Sequence, residues 1–269
     1  MVKYSGKLND SVFWHIDDAS TLTIYGKGKM PDYFTEKKDP RPYMQYQNEF
    51  TKLVIEDGIG YIGRNAFRDL ANLFNSIVIP DSVTEIGAGA FMNCVNMGDF
   101  LELGDSVKTI YDNAFHGCHK LRGCLYMPDS VTYIGANCFR LCYNIEDVRL
   151  SPNLQSIPKF AFASCHSLKG DIFIPSSVET IGASAFAADV GLKELKGGDG
   201  LVFRGEKAFF KCSSLHGTVD MNKVAVKANS FAETNVKLVD GKSLDDIIKS
   251  AGLHMKNECA NHIDEQPQH

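Results

Sequence analysis

Along most of the chain the apolar residues fall into a pattern that returns about every 24 positions. Each return opens with a short run in which two apolar residues flank an outward one: Leu53/Ile55, Ile77/Ile79, Leu101/Leu103, Leu125/Met127, Val148/Leu150, Ile172/Ile174 and Val219/Met221. A period of two over so few residues predicts a half-buried strand. A Pro or Gly with an Asp-Ser turn then ends it. An inward Val or Leu follows (Val83, Val107, Val131, Leu154, Val178), and then an inward Ile (Ile86, Ile110, Ile134, Ile157, Ile181). An Ala-Phe pair comes next, with room for one or two helical turns, and six residues past the Phe stands another apolar residue such as Leu73, Leu121 or Leu168.

The phenylalanines mark the period. They stand at Phe67, Phe91, Phe115, Phe139, Phe162, Phe186, Phe209 and Phe231, in steps of 24, 24, 24, 23, 24, 23 and 22. Segments such as IPDSVTEIGAGAF from Ile79, MPDSVTYIGANCF from Met127 and IPSSVETIGASAF from Ile174 align without a gap. A unit this short cannot bury its own apolar face, so the units must stack, with equivalent strands paired in parallel. The pattern predicts a solenoid whose register is weakest at residues 197–205, where Phe203-Arg204-Gly205 stands in place of Ile-Gly.

These residues resemble the BspA-like leucine-rich repeats, whose consensus is I-P-x-S-V-x-x-I-G-x-x-A-F-x-x-C-x-x-L. The likeness runs from about Leu53 to Leu238, with departures at Leu70 and Asp189 in the Cys position and Cys138 in the Ala position. It implies an α/β, right-handed leucine-rich repeat solenoid. A parallel β-sheet would form one face and short helical or irregular segments the other, in about eight repeats of 22–24 residues.

A solenoid needs capped ends. The alternation over residues 14–33 predicts an N-terminal β-hairpin carrying the sole tryptophan, and residues 34–48 a loop over the first rung. At the other end Ser243-Leu-Asp-Asp246 is a capping box, ahead of a short helix. The expected division is 1–50 front cap, 51–240 repeats, 241–253 helical rear cap and 254–269 disordered tail.

Composition narrows the function. With 28 Lys+Arg against 33 Asp+Glu the net charge is −5, which offers no basic excess for a nucleic acid backbone. No apolar run approaches the roughly 20 residues that span a bilayer, so no membrane insertion is expected. Residues 1–10 lack the basic start and apolar stretch of a signal peptide, which reads as a cytoplasmic chain or one shorn of its leader. Five of the eight cysteines, Cys94, Cys118, Cys142, Cys165 and Cys212, stand three residues after a repeat Phe, so they are expected as reduced core thiols.

The spacing His116-Gly-Cys118-His119 with Cys124 invites a zinc reading. The repeat opposes it, because Cys118 belongs to the inward column and Cys124 to the outer side of the strand. Gly58, Gly63, Gly87, Gly135 and Gly182 likewise read as corner residues at one repeat position rather than a phosphate loop. The histidines read as exposed loop positions. No catalytic residue, cofactor or metal is expected.

What remains is a surface. The outward strand positions run Val54, Val78, Glu102, Tyr126, Arg149, Phe173, Asp220 and Lys237, preceded on their own strands by Phe100, Cys124, Asp147 and Asp171. Phe100, Tyr126 and Phe173, bordered by Glu102, Asp147, Arg149 and Asp171, are the candidate partner-binding residues. The alternative is that the rings only stiffen the sheet. A non-enzymatic interaction or adhesion module is expected, a monomer binding a protein or glycan. A rigid spacer is the second reading and an enzyme the last. The resemblance implies a cell-surface or secreted location, with cytoplasmic as the alternative.

Overall fold

The computed structural model describes residues 1–34, 39–198, 202–203, 205–219, 229–238 and 242–243. The chain forms a parallel β-solenoid with almost no helix; among the described residues the one helical element is the 3-10 turn Met44–Tyr46.

One side of the solenoid is a ladder that contains the predicted strands and one more, Gly191–Gly197. Lys52–Ile55, Ile77–Val78, Leu101–Glu102, Arg122–Tyr126, Asn144–Arg149, Lys169–Ile174, Gly191–Gly197, His216–Val219 and Asn235–Leu238 stand side by side. Regular pairing runs two strands at a time: Ile77 faces Leu101, Leu125 faces Val148, and Ile172 faces Leu195. Between two such pairs a side chain carries the ladder across. Asn75 accepts the Leu53 N–H on Oδ1 and donates from Nδ2 to the Leu53 carbonyl, each at 2.9 Å. The inward pairs from Leu53 to Ile174 are buried, except Leu150, which is partly buried.

A second parallel ladder lies where the sequence suggested only an inward Ile. Gly28–Lys29, Ile59–Ile62, Glu85–Ile86, Thr109–Ile110 and Tyr133–Ile134 form one run, and Ser156–Ile157, Thr180–Ile181 and Val202–Phe203 another. Most of these strands are two residues long, too short for a period to be read from sequence. Phe203 pairs with Ile181 and so takes the Ile position in the stretch where the register was weakest.

The helical turns expected around Ala-Phe do not form. A helix would send each N–H to the carbonyl four residues back, but here successive N–H groups alternate between two other acceptors. Phe67 and Phe91 donate to the next rung, at Ala90 O and Ala114 O, while Arg68 and Met92 donate three residues back, to Asn65 O and Gly89 O. Each stretch is flanked by left-handed residues two before and two after the Phe, as at Asn65 (φ 53°) and Asp69 (φ 61°), or Asn113 (φ 57°) and Gly117 (φ 73°). Positive φ turns the chain sharply, so a rung closes in about 24 residues. Inside this corner the rings stack into one column from Phe67 to Phe231, with centroids 5.1–5.7 Å apart.

Glycines at the corner after the inward Ile serve close approach. A Cβ on Gly87 would come 2.6 Å from Arg64 N, and one on Gly135 2.3 Å from Asp112 N. Gly58 does not belong to this set: it stands opposite Ser82, whose Oγ accepts its N–H at 2.8 Å.

The front is more than a hairpin. Val2–Lys7, Val12–Asp17 and Thr21–Gly26 form an antiparallel sheet whose last strand pairs in parallel with Lys52–Ile55. Val12, Trp14 and Ile16 alternate inward and are buried, which makes this sheet a continuation of the first ladder. Over residues 39–50, Tyr43 and Phe50 are buried, and the Tyr43 ring meets Phe67 at the head of the aromatic column. At the rear, Lys242–Ser243 pair antiparallel with Lys237–Leu238. The rest of the expected cap over 241–253, and the tail over 254–269 with Cys259, lie outside the described residues, as do Asp220 and Met221.

Candidate functional site

The open face of the first ladder follows from the alternation that builds the core, because every residue between two inward positions points to solvent. Val54, Val78, Phe100, Tyr126 and Phe173 are exposed there, as are Glu102 and Arg149, while Asp147 is half-buried. Asp171 is half-buried. Strand register places Glu102 beside Val78, Asp147 beside Cys124, Arg149 beside Tyr126, and Lys196 beside Phe173.

Phe100, Tyr126 and Phe173 therefore do not form a single run. Arg149 occupies the rung between Tyr126 and Phe173, and among the described residues no ring contact joins any two of the three. The rings that do touch lie further forward. Phe13 stacks on Tyr25 at 5.7 Å, His15 meets Tyr25 at 5.3 Å, and Lys7 Nζ lies 5.9 Å from the Phe13 ring centre. Phe13 pairs with Tyr25 and His15 with Thr23, and Thr23 pairs in turn with Val54, so this cluster continues the same open face. His15 is thus a sheet-face residue and not a loop histidine. The signal for this cluster was present in the alternation of Val12, Trp14 and Ile16 with Phe13 and His15. The parallel join of Thr21–Gly26 to Lys52–Ile55 was not.

Charge gathers behind this apolar front. Lys196 contacts Asp171 at 2.6 Å and Glu194 at 3.6 Å, Lys169 contacts Glu146 at 2.7 Å, and Arg149 lies 3.9 Å from Asp147. The Lys169 ammonium holds the Glu146 carboxyl below its usual range, and the Asp171 carboxylate raises Lys196. These groups are largely in water, so each pair adds little to stability. Lys196 was missed from sequence because the strand Gly191–Gly197 carries one extra residue between Leu192 and Leu195 relative to its partner. At the far end Lys237 pairs with Thr218.

The cysteine column is structural. The thiols of Cys94, Cys118, Cys142, Cys165 and Cys212 donate to the carbonyls of Phe67, Phe91, Phe115, Phe139 and Phe186. Burial pushes the thiols of Cys94 and Cys142 up to about 12. Cys118 is buried while Cys124 is exposed, with its Sγ 3.6 Å from Asp147 Oδ2, so the two share no site. Among the described residues no group of three or more His, Cys, Asp or Glu side chains is placed to hold a metal ion, and no helix is long and apolar enough to cross a membrane.

The family described as BspA type leucine rich repeat region matches residues 41–169, 94–216 and 132–251, in six copies. No curated protein matches the chain. Among solved structures, the chain is similar to a leucine-rich repeat protein from Bacteroides ovatus, at 20% identity over 86% of this chain and 70% of that one, with a TM-score of 0.43. It is similar also to a leucine rich cell surface protein from Faecalibacterium prausnitzii, at 17% identity over 91% and 97% of the two chains, with a TM-score of 0.31. A leucine rich repeat protein of T. pallidum is 22% identical over 70% of this chain and 91% of that one, with a TM-score of 0.41.

Proposed function

Because the chain belongs to the BspA-type leucine-rich repeat family, we propose that it is a non-enzymatic interaction module that holds a protein partner on the open face of its first ladder. The observation that carries this reading is the contrast between the two sides of each strand. Inward positions repeat Leu, Ile, Val and Met, whereas the exposed row runs Val54, Val78, Glu102, Tyr126, Arg149, Phe173 and Lys196. Packing leaves these outward positions free, so recognition can choose them. Binding energy concentrates in a few aromatic and arginine anchors, and the row supplies Tyr126, Arg149 and Phe173, with Phe100 beside it. Glu102, Asp147 and Asp171 border the anchors and would orient the partner by charge.

The eight-ring phenylalanine column supports a count of eight units, which we assign to a right-handed coil acting as a monomer at the cell surface or outside the cell. A spacer is the second reading, favoured by the ion pairs Asp171–Lys196 and Glu146–Lys169, which neutralise much of the rear of the face internally. The triple variant Phe100→Ser, Tyr126→Ser and Phe173→Ser separates the two. An interaction module keeps its melting midpoint within a few degrees and loses most binding to a panel of immobilised host-matrix proteins. If the wild-type chain binds none of the panel, or if the folded variant binds as before, the open-face assignment fails.

A further inference from the structure

A groove of about 680 Å³ lies beside the second ladder, on a different side of the solenoid from the open face. It lies where one rung carries little more than a methyl group: Ala88-Gly89 lies between Arg64-Asn65 and Asp112-Asn113, at the same repeat position. Phe34, Arg64 and Arg68 wall one end, and Tyr111 and Tyr133 the other, with their rings 6.2 Å apart and tilted by 56°.

Several polar groups here are unclaimed. The Arg64 backbone N–H donates to Asp32 Oδ1, but its guanidinium, 5.8 Å from the Phe34 ring centre, has no carboxylate partner among the described residues. The Asn113 amide and the Tyr133 hydroxyl likewise have no hydrogen-bond partner among the described residues. Arg68 is held by Asp69 at 3.1 Å, and the Tyr111 hydroxyl donates to Glu85 at 3.1 Å. Of the backbone groups lining the groove, the N–H groups of Asn65, Gly89 and Asn113 already donate to Ala88, Asp112 and Ala136 on the next rungs.

We propose that this groove is a binding site for a carboxylated sugar. A pyranose ring presents an apolar C–H face that lies flat against a tyrosine ring, and its hydroxyls suit the amide and the phenol. A ring carboxylate would take the free Arg64 fork in a paired hydrogen bond. One unclaimed guanidinium matches one carboxylate, whereas a polyphosphate would need several cations.

Isothermal titration of the full chain tests this with tetragalacturonate and sialyllactose as probes. Neutral cellotetraose and lactose, and a glutamate-rich peptide, serve as comparators. At least one acidic sugar should bind, and the neutral sugars and peptide should not. Arg64→Gln and Tyr133→Ser, both at exposed positions, should each weaken that binding by about tenfold or more, with melting midpoints unchanged. Phe173→Ser, on the open face, should leave it intact. The assignment is overturned if neither acidic sugar binds, if neutral sugars or the peptide bind as well, or if the folded Arg64→Gln variant keeps its affinity.

Discussion

Asp189 occupies the cysteine column, where every other side chain from Cys94 to Cys212 is a thiol donating to a phenylalanine carbonyl. The aspartate is fully buried; its Oδ1 accepts the Cys165 N–H at 2.7 Å, and its Oδ2 is enclosed without a partner. Burial drives its pKa well above the model-peptide value of 3.8, so the folded chain keeps a proton that the unfolded chain gives up. Between those two pKa values the folded state binds more protons, and stability therefore falls as pH rises. Asp189→Asn keeps the shape and removes the titration. The stability advantage of the Asn variant over the wild type should grow from pH 4 upward, by about 1.4 kcal/mol per pH unit until the folded pKa is passed. Urea melts across pH 4 to 8 measure it, and a difference that does not change with pH would mean the carboxyl is not held neutral.

At the scale of the element, a rung is held by its ring and its corner glycine together. Phe115 is fully buried and lies parallel to Phe91 and Phe139, at 5.1 and 5.3 Å. This stacking distance follows from how closely the rungs approach, and a Cβ on Gly135 would disturb that approach because Asp112 N lies 2.3 Å from where it would sit. Phe115→Ala leaves a cavity bounded by two rings that the ladders hold in place, so it should cost about 3–5 kcal/mol. A denaturant melt reads this directly, and a loss under about 1 kcal/mol would place Phe115 outside the packed column.

For the whole molecule, stability passes from rung to rung, so the ends decide where unfolding starts. At the front one guanidinium closes the turn side. Arg41 Nη1 donates to the carbonyl of Arg68 at 2.6 Å and, more weakly, to those of Asn65 and Ala66 at 3.3 and 3.4 Å, while Asp39 pairs with the same side chain. The Ala66 and Arg68 carbonyls hold the positions at which Ala90 and Met92 accept from the rung before, and no such rung precedes them. Arg41→Ala should cost about 2–3 kcal/mol, the scale of hydrogen bonds to a charged group. The loss should appear first in the fluorescence of Trp14, the sole tryptophan, whose ring lies 6.2 Å from Tyr43. Coincident fluorescence and circular-dichroism transitions, unshifted from the wild type, would show that Arg41 does not close this end.

The period of the phenylalanines, the inward columns and the thiol column were all legible in the sequence. Each is a packing constraint repeated at every rung, and repetition makes such a constraint visible. The exposed positions of Phe100, Tyr126 and Phe173 were legible for the same reason, as the complement of the inward ones. What the tertiary structure decided depends on neighbours that a single unit does not contain. The N–H groups around each Phe turn to the next rung instead of closing a helix. The second ladder rests on strands as short as Thr109–Ile110, which only their stacked partners hold extended. Lys196 comes to stand beside Phe173 through the extra residue in its strand, and Phe13 and Tyr25 join the same face through a parallel pairing between segments far apart in the chain. Period sets which side chains point inward; only the stacking of rungs sets which outward side chains meet.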